Sequence, residues 1–278
     1  MEVTLHAATA VDDARRSLQR GLDQACGISL KAFCLLASVH SHEGTLPLAA
    51  FPPHVFVSGR AASLAASELA HNGLVEKSYA HAGRRNLQLR ETDRASATLT
   101  TGFEVAYQCL EEAAERARLL EGVEGMAKAL SLAAGRLGVS DLEFDPCCHT
   151  MLTPACLIAL MGLIQRWDEV GLPVTGLAFT EAQCLVLLRL HRVTASFEFM
   201  ADALRVEPAE VSKLVTRLRN KLFAGFSAGY VSEDYVQKVG LTPQGAEMAL
   251  TAAEELGKVV ANLRSGSGAL LAYAKEPR

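Results

Sequence analysis

The strongest constraint on this chain is that its pattern occurs twice. The segment Ile28–His40 (ISLKAFCLLASVH) lines up with Phe179–His191 (FTEAQCLVLLRLH), an offset of 151. Further on, Ser63–Leu69 (SLAASEL) lines up with Ser212–Leu218 (SKLVTRL), an offset of 149. The first pair opens beside Ser29 and Thr180, residue types that cap helices, and each runs as an apolar-rich helix to a histidine. The slip of two residues is assigned to the loop between the two pairs, where length changes cost little. A duplicated pattern in 278 residues calls for two cores of similar size.

Each repeat reads in the same order. A leading helix is expected at Val11–Cys26 and at Pro154–Val170, and a second helix at Ser29–His40 and at Thr180–His191. Two short helices, a pair of strands and a long closing helix follow, the last over Asp93–Leu120 and Pro243–Leu263. Gly122 and Gly125 interrupt the first closing helix, which continues over Met126–Leu137 and ends at Gly138, before an irregular stretch, Val139–Pro154. Composition agrees with a mainly α fold: half the residues are hydrophobic and only 6% are aromatic. The expected domains are 1–138 and 139–278, each a repeat with its flanking helices.

In the second repeat, Phe199, Met200 and Leu204 give a short helix one apolar face, and Glu207-Pro208 starts another with proline at a tolerated first-turn position. Val211, Leu214, Val215 and Leu218 then follow the spacing of a buried stripe. The other side carries Ala209, Lys213, Thr216, Arg217 and Asn220, a polar and basic face suited to a major groove. This run, Ser196–Lys221, resembles the helix-turn-helix of MarR-family regulators. In the first repeat, Gly73–Thr92 is similar to the family's strand–wing–strand, with a turn at Ala80–Gly83 and Arg84 and Arg85 at its basic tip. Leu241–Gly245 (LTPQG) is similar to the family's lead into the closing helix.

The resemblance implies two winged helix-turn-helix repeats, joined by long terminal helices into a pseudo-dimer within one chain. It implies double-stranded DNA as partner and a small apolar or phenolic effector bound between hub and lobe. The residues it assigns to DNA are Ser212, Lys213, Thr216, Arg217 and Asn220, with Arg84, Arg85 and Arg60 from the first repeat. The chain departs from a symmetric reader. Lys213, Arg217, Arg219 and Lys221 against Glu210 make the second recognition helix +3, whereas Leu64 and Glu68 occupy the places of Lys213 and Arg217 in the first. The wings reverse this: Lys77, Arg84, Arg85 and Arg90 face Glu76 in the first, and Lys238 faces Glu233 and Asp234 in the second. The rival expectation is a degenerate winged-helix scaffold or ligand-binding protein without DNA.

A net charge of −4 and a pI near 6.1 leave any phosphate contact to local basic patches. Met1–Ala10 lacks the basic-then-apolar pattern of a signal peptide, and the longest apolar stretch, Ala155–Ile164, is short for a bilayer. Seven cysteines are read as reduced thiols in a cytoplasmic protein. Adjacent Cys147 and Cys148 beside His149 lack the spacing of a tetrahedral metal site. Cys26 is the candidate for redox sensing, which requires an accessible thiol of lowered pKa. No phosphate loop, zinc-protease motif or nucleophile elbow is present, so neither a cofactor nor an enzymatic activity is expected.

Overall fold

The computed structural model describes residues 1–48, 59–79, 87–139, 152–191, 194–231 and 234–263, with side chains described outside 226–237. The first repeat runs α1 (Glu2–Cys26), α2 (Leu30–Ser41), β1 (Thr45–Pro47), α3 (Gly59–His71), β2 (Val75–Tyr79), β3 (Leu87–Glu91), α4 (Asp93–Arg116) and α5 (Gly122–Arg136). The second runs α6 (Pro154–Thr175), α7 (Phe179–His191), β4 (Ala195–Ser196), α8 (Phe197–Leu204), α9 (Pro208–Asn220), β5 (Ala224–Val231), β6 (Asp234–Leu241) and α10 (Pro243–Val260). The fold is mainly helical, with two small antiparallel sheets ordered β1-β3-β2 and β4-β6-β5. Each sheet has three strands where two were expected. The added strands pair Leu46 with Leu89 and Ala195 with Val239. At three and two residues they are too short to display an alternating pattern.

The duplication is carried by local geometry more than by identity. Both leading helices stop at a left-handed glycine, Gly27 (φ +67°) and Gly176 (φ +65°), 149 residues apart. The buried residues of α3 are Ala62, Ala65, Ala66 and Leu69, and those of α9 are Val211, Leu214, Val215 and Leu218, each again 149 further on. Both helices end at a left-handed residue, Gly73 and Leu222. The threonine that opens each closing helix, Thr92 or Thr242, donates its hydroxyl to that residue's carbonyl, at 2.8 and 2.6 Å. This register corrects the pairing at 151 over the second helix. The N-cap positions are Ser29 and Ala178, also 149 apart, so the second helix keeps the register of the elements on either side and the loop after it needs no two-residue slip. Thr180 is no cap: it lies inside α7 and donates to Asp12 Oδ2 at 3.1 Å.

Two leading-helix boundaries also move. α1 begins at Glu2, because Ala7, Ala8 and Ala10 are fully buried small residues that favour helix without marking a period. α6 continues past Gly171 and Pro173 to Thr175, whose hydroxyl donates to the Gly171 carbonyl at 2.7 Å. Gly171 is needed there, since a Cβ would lie 2.3 Å from the buried Trp167 ring. That ring donates its Nε1–H to the Leu177 carbonyl at 2.9 Å and packs edge-on to Phe179.

Packing divides the chain into two units, and the division does not fall at residue 138. One unit comprises Met1–Asp13 with Arg166–Ala261, the other Ala14–Gln165 with the chain from Asn262. Each unit thus includes the first half of the other repeat's leading helix. In the first unit, α1 meets α7 through Asp12 and through Gln183, which donates to the Ala8 carbonyl at 3.4 Å. In the second, the rest of α1 meets α4, where Arg116 donates to Ser17 Oγ at 2.8 Å.

Candidate nucleic-acid interface

The second repeat builds its polar helix from the turn outward. α8 is capped by Ser196, whose hydroxyl accepts from the Phe199 N–H, and it ends at Arg205 in the left-handed region. The Val206 N–H returns to the Ala201 carbonyl at 3.0 Å, closing the last turn of α8. Three residues on, Pro208 opens α9 in its first turn, where the missing N–H has no intrahelical partner to lose. Met200 and Leu204 are buried as expected. Phe199 is not: it is exposed, and its ring meets His191 edge-on at 4.2 Å between centroids.

With Val211, Leu214, Val215 and Leu218 buried, the opposite face of α9 is set by helical spacing alone. Ser212, Lys213, Thr216, Arg217 and Asn220 are all exposed. Thr216 turns its hydroxyl onto the Ser212 carbonyl at 2.9 Å, keeping both residues on one ridge. Among the described residues nothing pairs with Lys213. Arg217 is different, because its Nε–H donates to Glu181 Oε1 at 2.7 Å. Lys221, just past the helix, donates to Glu181 Oε2 at 2.6 Å and to the Gly176 carbonyl at 2.8 Å.

Glu181 lies in the first turn of α7 with its side chain only 3% exposed. The Ala178 N–H also donates to it, at 3.0 Å, which is the reaching-back half of a capping box. Burial by itself raises the carboxyl pKa. Hydrogen bonds from Lys221, the Ala178 N–H and Arg217, with the charge of Lys221, outweigh it and hold the group below the ordinary carboxylate value. With Glu181 set beside Glu210, the four cations of Pro208–Lys221 carry a net +2 and not +3.

The first repeat uses the same junction with the acid on the other side. Glu68 of α3 accepts from both the N–H and the hydroxyl of Ser29, the cap of α2. The exposed face of α3 carries Arg60, Ser63, Leu64, Ser67 and His71, with Leu64 61% exposed. Lys77 of β2 reaches back to Ser67 Oγ at 2.8 Å. Arg84, Arg85 and the Ala80–Gly83 turn lie outside the described residues, as do Cys147, Cys148 and His149.

The recurrent histidines do not correspond. His40 Nδ1 meets Glu91 Oε2 at 2.9 Å, whereas His191 packs on Phe199. Burial raises the pKa of Cys26, opposite to what a redox-sensing thiol needs. Among the described residues no cluster of three His, Cys, Asp or Glu side chains is placed to hold a metal, and no single helix is long and apolar enough to cross a membrane. Glu181 was missed in the sequence, because taking Thr180 as the cap set it one residue after the cap and not three; its ion pairs join residues 36 and 40 apart, beyond local spacing. No family model matches the chain, and no curated protein matches it.

Proposed function

We propose that the chain is a DNA-binding transcriptional regulator of the winged-helix, MarR-like type, a cytoplasmic protein whose two repeats act as a pseudo-dimer. One observation carries this reading: the α8–turn–α9 pair clamps one apolar stripe and leaves Ser212, Lys213, Thr216 and Asn220 outward on a single ridge. Lys213 supplies the phosphate or base-edge charge, and the neighbouring hydroxyls and amide supply hydrogen bonds. Arg84 and Arg85 of the first wing, with Arg60 on α3, add phosphate contacts. A small apolar or phenolic effector would act by binding one spacing of the lobes more tightly than the other. The chain carries both halves, so it is proposed to work without a second copy.

The test is a mobility-shift titration of duplex DNA flanking the gene, at two or more salt concentrations. The triple variant Lys213→Ala, Arg84→Ala, Arg85→Ala should bind more weakly, its salt slope reduced by about 0.9 for each phosphate that is no longer neutralised. An unchanged affinity and slope in a folded triple variant would falsify the reading. A second reading, a winged-helix scaffold that binds no DNA, is favoured by exposed Leu64 on α3, at the place that Lys213 holds on α9. A wild type that binds no duplex at low salt selects it.

A further inference from the structure

The junction between the second helix and the recognition helix of each repeat contains one well-held carboxylate, and the two repeats place it on opposite partners. In the first repeat the acid is Glu68 on α3, and its donors belong to Ser29 at the start of α2. In the second the acid is Glu181 at the start of α7, and its donors are the Ala178 N–H at the cap, Arg217 on α9 and Lys221 just after it. Glu68 and Arg217 are equivalent positions, 149 residues apart, in a register fixed independently by the buried stripes. The first repeat thus carries its acid on α3, and the second places it on α7 and the bases on and just after α9.

The geometry also removes charge from use. Arg217 is exposed on the ridge, yet its Nε–H is fixed on a carboxylate with only 3% of its side chain exposed. Lys221 is fixed on the same carboxylate and on a backbone carbonyl. Charge-assisted bonds to a buried acceptor are stronger than neutral ones, so neither cation leaves it freely for a screened phosphate.

We propose that Glu181 is a positioning residue that withholds Arg217 and Lys221 from nucleic acid, so that the contact of α9 with DNA rests on Lys213 and its neighbours. This inference deepens the nucleic-acid reading and rests on it. Glu181→Gln keeps the shape and removes the charge, so Arg217 and Lys221 become available to phosphates. Affinity for a mixed-sequence duplex then rises, and the salt slope steepens by about 0.9 to 1.8, as one or two further phosphates are neutralised. Discrimination between duplexes narrows, because the new hydrogen bonds go to the DNA backbone.

The folded state of each variant is checked by circular dichroism. Removing every charged partner together is tolerated better than stranding one buried group, so Glu181→Gln with Arg217→Met and Lys221→Met is the companion variant. Its slope should equal that of the wild type. A fall of about 1.8 in the companion would show that Arg217 and Lys221 touch phosphates directly, and would overturn the proposal. An unchanged slope in folded Glu181→Gln overturns it as well. If Glu181→Gln does not fold, the companion alone decides. A wild type that binds no duplex at low salt removes the nucleic-acid reading and this inference together, whereas binding with the wrong slopes removes the inference only.

Discussion

Replacing Gly102 with Ala puts a methyl group into space that Phe33 already fills. The added Cβ would stand 2.1 Å from Phe33 Cε2, 2.7 Å from Cζ and 2.9 Å from Cδ2. Carbon atoms in ordinary contact sit about 3.5–4.0 Å apart, so the ring must retreat by more than roughly 1 Å. It has nowhere easy to go, being fully buried and packed edge-on against Phe103 at 5.2 Å. Overpacking of this kind costs about 1–3 kcal/mol, and three clashing ring atoms place it at the upper end. Ala returns up to about 1 kcal/mol as the better helix former, leaving a net loss of about 2 kcal/mol. Gly135→Ala in α5 is the control, since its Cβ would meet nothing within 4 Å. It should be neutral or stabilise by up to about 1 kcal/mol. Urea unfolding followed by circular dichroism should separate the two variants by about 2–3 kcal/mol. Equal midpoints within error would refute the claim that Phe33 leaves no room for a Cβ at position 102.

Leu222 is exposed and holds a φ of +63°, where the first repeat has Gly73. Leu222→Gly should raise stability by about 0.5–1 kcal/mol, the relief of left-handed strain less the added freedom of the unfolded chain; a lower urea midpoint would count against it. The lowered pKa of Glu181 predicts a stabilising contribution that is complete above its unfolded value and is lost as pH falls through its lower folded value. The stability gap between wild type and Glu181→Gln should therefore be constant from pH 7 to pH 5 and narrow below about pH 4.5, the ordinary carboxylate value. A constant gap down to pH 2 would contradict the clamp. Cys34 and Cys184, fully buried with pKa values pushed up to about 12, should react with a thiol reagent at pH 8 only after unfolding. Rapid labelling of either in the folded chain would show that the second helix of that repeat is not closed.

Much of the architecture is local enough to be written in the sequence. The stripe Val211, Leu214, Val215 and Leu218 needs only helical spacing to be recognised, and all four are buried. Pro208 marks a helix start because its ring fits only the first turn. The second closing helix starts where Thr242 stands before Pro243, and the Thr242 hydroxyl accepts from the Gly245 N–H as a local cap. What sequence misjudged are choices made between distant segments. Thr180 reads as a cap, yet Asp12, far away in the chain, takes its hydroxyl. The two short first strands exist only because β3 and β6 offer them an edge. The 151-residue pairing of His40 with His191 satisfies the letters, while the buried stripes and left-handed caps impose 149, because packing reads volume and backbone shape and not residue identity. Arg217 shows the difference at the candidate site. Helical spacing alone placed it on the outward ridge of α9; that its Nε–H is held by Glu181 was decided when α7 packed against that helix, since a buried carboxylate must find its donors wherever the fold brings them.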